Sequence, residues 1–248
     1  MEKQTSWRRK RILVTGATGF IGRHLVRRLG GMGARVYAGT SPAQGPSSRS
    51  PYPGQAPELR TRSLAFDVCD AEAVRNTLRD VAPDIVFHLA AVGVTNPDVD
   101  PTLALKVNTR GAINLLEALK EIGVDRIVLT GTSYEYGAYG ETKRLDPFNG
   151  YAASKVAAWA FGRMYWRAYK LPVVIVRPFQ VYGPGQPRGL LIPSAIRAAT
   201  SGDDFPMTPG EQMRDFIFAE DVVNGMIAAA KAVGIDGESL DLGTGVGT

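Results

Sequence analysis

Residues 15 to 22 read TGATGFIG, directly after the short apolar run Ile12-Leu13-Val14 and directly before a helical pattern from Arg23 to Leu29. A strand, a glycine turn and a helix in that order make a phosphate cradle. The helix N-terminus offers unpaired backbone N–H groups and roughly half a positive charge, so a pyrophosphate is held there without any basic side chain. Gly16 permits the tight turn, Gly19 lets the backbone approach the phosphates, and Gly22 removes a side chain where the helix must pack closely on the sheet. The spacing is GxxGxxG, which departs by one residue from the GxGxxG dinucleotide fingerprint. Taken alone, it also fits an ordinary glycine-rich turn.

The rest of the chain decides between the two. Apolar runs at Ile12 to Val14, Val36 to Ala38, Ser63 to Phe66, Ile85 to Leu89, Arg126 to Thr130 and Val173 to Val176 are short and rich in branched residues, as buried parallel strands are. Helix-length patterns alternate with them, at Phe20 to Leu29, Ala71 to Val81, Pro101 to Ile122 and Tyr151 to Tyr169. Strict alternation predicts an α/β fold with a doubly wound parallel sheet, the Rossmann fold, whose ligands sit outside the carboxyl ends of the strands. The Pro-, Ser- and Gly-rich stretch Ser41 to Pro57 reads as a long loop after the second strand. After Pro178 the chain turns to Gly/Pro-punctuated segments with helices expected at Leu191 to Thr200 and Glu220 to Ala232. The expected organisation is a basic tail over residues 1–10, a dinucleotide-binding domain over 11–177 and a small substrate-binding portion over 178–248.

Composition excludes several classes. At 248 residues, 44% hydrophobic and 21% charged, the chain is long enough for one substantial core. Of the net charge of +5, Lys3, Arg8, Arg9, Lys10 and Arg11 against Glu2 account for four, so the basic character belongs to the tail. No basic stripe marks the folded body, which argues against a nucleic-acid partner. Cys69 is the only cysteine and has no His or Cys nearby to complete a metal site, so it reads as a small buried residue with no metal bound. The N-terminal segment lacks the apolar stretch of a signal peptide, and no run approaches the roughly 18 apolar residues of a membrane span. A cytoplasmic protein with no membrane partner is expected.

Tyr151 and Lys155 stand four apart in YAASK at the start of a helix, which puts both side chains on one face, a turn apart. A nearby ammonium favours a phenolate and lowers a tyrosine pKa toward the range useful for proton transfer. Thr132 or Ser133, at the end of RIVLTGT, offers a hydroxyl to the same reacting oxygen.

With these pieces in their order, the sequence resembles the extended short-chain dehydrogenase/reductase family of nucleotide-sugar epimerases, dehydratases and reductases. The matching strings are TGATGFIG, Asp67 in FDV, HLAA at 88–91, Asn108 in KVNTRG, GTSYEYG at 131–137, YAASK, RPFQVYGPGQ at 177–186 and GEQMRDFIFAEDVV at 210–223. The resemblance implies that Gly16, Gly19, Phe20, Ile21 and Gly22 hold the cofactor pyrophosphate. It further implies that Asp67 and Val68 border the adenine and that Leu89, Ala90 and Ala91 line the path to the nicotinamide, with Asn108 also in the cofactor set. Lys155 would hold the nicotinamide ribose, Tyr151 would be the acid/base, and Thr132, counted back from Tyr136-Gly137, would take the family's catalytic Ser/Thr position. Arg214 resembles the arginine that clamps the substrate diphosphate, a role suited to a planar fork of donors. His88 reads as a strand-end packing or hydrogen-bonding residue, and a homodimer through the helices beginning at Pro101 and Tyr151 is implied.

Dehydratases of this family carry an Asp-Glu pair directly after the catalytic Thr. Here Ser133 and Tyr134 take those positions as expected substrate contacts, and Glu135 follows. Dehydration is therefore disfavoured, and redox chemistry at one sugar carbon remains. FPMTPGEQMRDF and GTSYEYG resemble the deoxysugar 4-ketoreductase branch more than the UDP-galactose 4-epimerases. The expected reaction is reduction of a 4-keto-6-deoxyhexose nucleotide, with 4-epimerisation using tightly bound NAD as the alternative. A non-catalytic dinucleotide sensor is the remaining reading, and the presence of Thr132, Tyr151 and Lys155 together argues against it. The second strand ends in Gly39-Thr40-Ser41 with no acidic residue for the ribose hydroxyls, and the next carboxylate is Glu58. Thr40, Ser41 or an arginine such as Arg49 or Arg60 is placed to receive a 2′-phosphate, so NADP(H) is favoured over NAD(H). Two features depart from the family pattern. Gln180 stands where Asn is usual, and the sequence stops at LDLGTGVGT, where relatives continue for another helix or more, so a shortened substrate portion is expected.

Overall fold

A computed structural model describes residues 7–42, 61–96, 98–137 and 144–248. Nine strands are present among them: β1 (Arg11–Thr15), β2 (Arg35–Thr40), β3 (Thr61–Ala65), β4 (Ile85–His88), β5 (Arg126–Thr130), β6 (Val173–Pro178), β7 (Gln180–Tyr182), β8 (Phe216–Phe218) and β9 (Ser239–Leu242). The helices are α1 (Phe20–Gly31), α2 (Ala71–Val81), α3 (Pro101–Ala104), α4 (Gly111–Ile122), α5 (Gly150–Tyr169), α6 (Leu191–Ser201) and α7 (Ala219–Lys231). Seven strands form one parallel sheet in the order β3-β2-β1-β4-β5-β6-β9, and β7 and β8 pair separately. The predicted doubly wound sheet is present.

The apolar strand runs follow from burial on both faces. Ile12 and Val14, Ile85 and Phe87, Val128, and Val174 and Val176 enter the core shared with α1 and α7. Their neighbours Leu13, Val86, Ile127, Leu129, Val173 and Ile175 enter the opposite core, shared with α2, α4 and α5. Alternate residues serve opposite layers, so no polar residue interrupts the runs. Truncating a fully buried side chain such as Phe87 to Ala costs about 3–5 kcal/mol through lost burial and the cavity left behind.

Strand order reverses between β1 and β4, so a crevice opens outside their carboxyl ends. Thr15 and His88 sit in register across that point, and Thr15 Oγ1 lies 2.7 Å from His88 Nδ1.

The structure departs from the sequence reading in three places. The helix expected over Pro101 to Ile122 contains a π-helical segment, Leu105–Arg110, between α3 and α4. Its buried Asn108 and Thr109 bond to Val92 and to Ser154, and these bonds accompany the poorer helix geometry. Strands β7, β8 and β9, of three or four residues each, are too short to register as a period. Finally, the stretch beyond 178 is not separate from the sheet. β9 pairs with β6, and Val222, Val223 and Met226 of α7 belong to the first core.

Candidate active site

The crevice holds a cavity of about 720 Å³, within the range of cofactor and small-molecule sites. One end is the glycine turn. Gly16 has φ +66°, and a Cβ there would lie 2.7 Å from the Ala90 nitrogen, so the turn lies directly against the loop after β4. A Cβ on Gly22 would lie 2.2 Å from the Gly16 carbonyl oxygen, so α1 packs onto the turn with no room for a side chain. Asp70 caps α2 and Asn149 caps α5 through their side chains, whereas the N-cap of α1, Gly19, has none and its first turn has no acidic residue. The amides of α1 are thereby available to an anionic ligand, and the cradle fits a dinucleotide pyrophosphate. Phe20, Ile21 and Gly22 border this end with Gly16 and Gly19.

From there the wall runs past Thr40 and Ser41, then Asp67 and Val68, then Leu89, Ala90 and Ala91. Thr40 closes β2, and its carbonyl accepts the Phe66 amide at 3.0 Å. Arg49 and Arg60 lie outside the described residues. Asn108 is not on the wall. Its Nδ2 donates to the Val92 carbonyl and Ser154 Oγ, and its Oδ1 accepts the Val92 amide, so it ties the loop after β4 to α5. Cys69, expected to be buried, is only partly buried on the wall, where desolvation pushes its thiol up to about 11.

Thr132, Tyr151 and Lys155 meet at the other end, all buried yet all bordering the cavity. Lys155 rises from the first turns of α5, and its Nζ donates to the Thr130 carbonyl at 2.8 Å and lies 6.0 Å from the Tyr151 ring centre. Burial lowers Lys155 to about 8, while Glu135 pulls it up. Burial pushes the Tyr151 phenol well above its ordinary range, and a hydrogen bond with the Thr132 side chain pulls it down. The sequence reading anticipated a tyrosine lowered by its lysine. Instead, loss of solvent dominates in the closed crevice and keeps the phenol protonated.

Thr132 begins a short 3₁₀ turn, Ser133–Tyr136, and caps it. Its hydroxyl accepts the Tyr134 amide at 3.3 Å, and its own amide donates to Glu135 Oε1 at 3.1 Å. Glu135 is fully buried, and Arg177 Nε donates to its Oε2 at 2.5 Å. The side chain that sequence left as a spare acid is therefore bound on both oxygens. Ser133, Tyr134 and Gln180 line the cavity, as do Lys106 and Gln186, which the sequence reading missed. The helical pattern over Pro101 to Ile122 covers Lys106 but does not mark the π-helical segment that carries it. Arg214 does not line it. Its backbone pairs with Thr248, and Nη1 donates to the Met213 carbonyl at 2.8 Å.

Comparison with known proteins gives the same picture. The model of the NAD dependent epimerase/dehydratase family matches residues 12–243. The human dTDP-D-glucose 4,6-dehydratase is 32% identical over 251 residues, covering 95% of this chain and 69% of that protein. UDP-glucose 4-epimerase of Mycolicibacterium smegmatis is 33% identical over 251 residues, covering 96% and 78%. The dTDP-4-dehydro-6-deoxy-D-allose reductase of a Streptomyces species is 32% identical over 240 residues, covering 88% and 71%. Among solved structures, the Thermotoga maritima UDP-glucose 4-epimerase with UDP-glucose superposes with TM-score 0.84 at 26% identity, covering 96% of this chain and 78% of that one. The Thermus thermophilus UDP-glucose 4-epimerase with NAD gives 0.80 at 30% identity, again over 96% and 78%.

Proposed function

The chain belongs to the NAD dependent epimerase/dehydratase family, and on that premise we propose that it moves hydride between a nicotinamide cofactor and one carbon of a nucleotide-activated sugar. The specific reading is reduction of a 4-keto-6-deoxyhexose nucleotide. The carrying observation is that Thr132, Tyr151 and Lys155 share one wall of a cavity whose far end is the glycine cradle, while the adjacent carboxylate, Glu135, is bound by Arg177 and the Thr132 amide. Elimination of water asks for an acid and a base beyond the tyrosine, and this turn offers neither in free form.

A nicotinamide cofactor, whose pyrophosphate Gly16, Gly19 and Gly22 would hold, would supply the hydride chemistry for the keto carbon. Tyr151, kept protonated by burial, gives its proton to the developing alkoxide, and Thr132 hydrogen-bonds the same oxygen. Lys155 keeps much of its charge near neutrality and favours the tyrosinate left behind, which regains its proton from solvent. Each turnover converts ketone, hydride and proton into alcohol. Gly16, Gly19 and Gly22 hold the pyrophosphate. Ser133, Tyr134 and Gln180 face the sugar, and Arg214 clamps the diphosphate on substrate binding.

The second reading, 4-epimerisation, uses the same residues and draws support from the epimerases among the relatives. Cofactor preference is assigned to NADP(H) because β2 ends at Thr40, followed by Ser41, and neither residue carries a carboxylate that would repel a 2′-phosphate. A homodimer is proposed through the helical run that begins at Pro101 and through α5. Leu103, Leu105, Phe161 and Met164 expose apolar surface on the α3-to-α4 helical run and on α5.

Denaturing the purified protein and identifying the released nucleotide by mass spectrometry tests these readings. Near-stoichiometric NAD favours the epimerase and overturns the cofactor assignment. An emptied site that binds NADPH, followed by substrate-dependent NADPH oxidation with 4-keto-6-deoxyhexose nucleotides, supports the reductase. Dehydration by the wild-type protein overturns both.

A further inference from the structure

Behind the catalytic turn lies a buried polar network that hydride transfer does not directly use. Glu135 has no exposed surface and Arg177 almost none, and they meet between the end of β5 and the end of β6. Arg177 Nη1 also donates to the Tyr136 hydroxyl at 3.0 Å, and that hydroxyl donates to Asp241 Oδ1 at 2.9 Å on β9. Gly131 fits this arrangement, because a Cβ there would lie 2.3 Å from Glu135 Oε1. The chain thus gives up a side chain next to Thr132 in order to seat a carboxylate.

A buried ion pair is seldom retained for stability, since desolvation offsets the attraction and apolar replacements do as well or better. What this pair does locally is specific. Glu135 Oε1 holds the Thr132 amide, which fixes the start of the 3₁₀ turn, and Arg177 fixes the carboxylate. The nearby charges and titratable groups are Arg177, Tyr136, Asp241, Tyr151, Tyr134, Lys155 and His88. The negative charge of Glu135 acts on both Tyr151 and Lys155, Tyr134 acts on Tyr151, and Lys155 acts on His88. We propose that Glu135, clamped by Arg177, is a positioning residue for the reaction: through the Thr132 amide it orients Thr132 toward Tyr151, and it keeps a fixed negative charge behind the catalytic turn. This rests on the hydride-transfer reading for its consequence in turnover but not for its electrostatic half.

The test therefore has two readouts on the full-length chain. The first is the titration of Lys155, followed by NMR of lysines labelled at Cε and assigned by the signal lost in Lys155→Met. In Glu135→Gln the midpoint falls by about one pH unit or more, the scale of losing an opposite charge at close range. In Glu135→Asp, which keeps the charge, it returns toward wild type. The second readout is turnover. Glu135→Gln and Glu135→Asp both lose about tenfold or more in kcat, because neither holds the Thr132 amide and Arg177 together as Glu does, while NADPH affinity stays within about twofold. If Glu135→Gln is recovered unfolded, Arg177→Lys carries the test. It keeps both charges, loses the Nε donor, and is expected to lower kcat with little movement of the Lys155 midpoint. A folded Glu135→Gln with unchanged Lys155 titration overturns the inference, as does wild-type kcat in Glu135→Gln or in Arg177→Lys. Should the wild-type protein turn over no nucleotide sugar, the proposed function fails, and the lysine titration still decides the role of Glu135.

Discussion

The two ends of the cavity are built differently. Around the glycine turn, β1, β4 and the start of α1 the wall is backbone. Its shape comes from Gly16 and Gly22, from which every side chain is excluded, and from strand ends locked in register. The substrate end draws on side chains from residues 178–190 and, by resemblance, on Arg214 in the stretch before β8, where Met207 and Met213 are 65% and 61% exposed. The pyrophosphate is the same group in NAD and in NADP, so a fixed backbone cradle suits it. Sugars and bases differ, and exposed segments change with little cost to the core. The proposed catalytic side chains, Thr132, Tyr151 and Lys155, lie at the end away from the glycine turn, at its junction with the buried core.

If that division is right, a change at the junction should separate binding from chemistry most sharply. Tyr151→Phe should lower kcat by about a thousandfold, within the range attributed to a positioned general acid. NADPH affinity, followed by fluorescence titration, should stay within about twofold, and a comparable loss of cofactor affinity would break the comparison. Gly22→Ala attacks the backbone cradle directly. Its Cβ would meet backbone rather than a flexible side chain, so α1 must shift away from the turn. The expected loss is about a hundredfold in cofactor affinity, with about 1–3 kcal/mol of stability from overpacking. Normal cofactor binding in this variant would mean that the cradle does not depend on this close packing.

The same contrast explains what sequence could reveal. Strands buried on both faces announce themselves as unbroken apolar runs, and the glycine turn can be read because only glycine meets its steric demand. Tyr151 and Lys155 were legible from helical spacing, and Thr132 from the family resemblance. The bracing role of Asn108 has no sequence signal, because a motif records that a residue matters without telling what its side chain holds, and here its amide ties α5 to the loop after β4. Glu135 was left undecided because its partner, Arg177, is 42 positions away and meets it only across adjacent strands. The raised Tyr151 pKa had no sequence signal, since it reflects how completely the crevice removes water.

His88 sharpens the comparison from the stability side. Burial, with Lys155 nearby, lowers it from 6.5 to about 3, so the folded protein keeps it neutral where the unfolded chain would protonate it. The unfolded state then binds the extra proton as pH falls below 6.5. Stability attributable to His88 is complete above that pH and is lost progressively down to about 3, at about 1.4 kcal/mol per pH unit. Denaturant melts between pH 7 and pH 4.5 should therefore be less steep for His88→Asn than for wild type, a difference of about 3 kcal/mol across the interval. Parallel curves would show that the rigid end tolerates a charge at the switch between β1 and β4.

Arg214 provides the smallest effect and the most direct probe of the adaptable end. It lies off the cavity wall in a largely exposed stretch, so any contact with a substrate diphosphate requires the side chain to leave the Met213 carbonyl and swing inward. An exposed, salt-screened ion contact contributes modestly. Arg214→Ala should therefore raise the KM for the nucleotide sugar by only about two- to fivefold at low salt, and by less as ionic strength shortens the Debye length. Neither kcat nor NADPH affinity should move. A large fall in kcat would instead mean that the segment before β8 closes over the reacting carbon, and that the boundary between backbone-built cradle and adaptable wall lies nearer Tyr151. An unchanged KM at all salt concentrations would remove Arg214 from the substrate contacts and leave Ser133, Tyr134 and Gln180 to hold the sugar nucleotide.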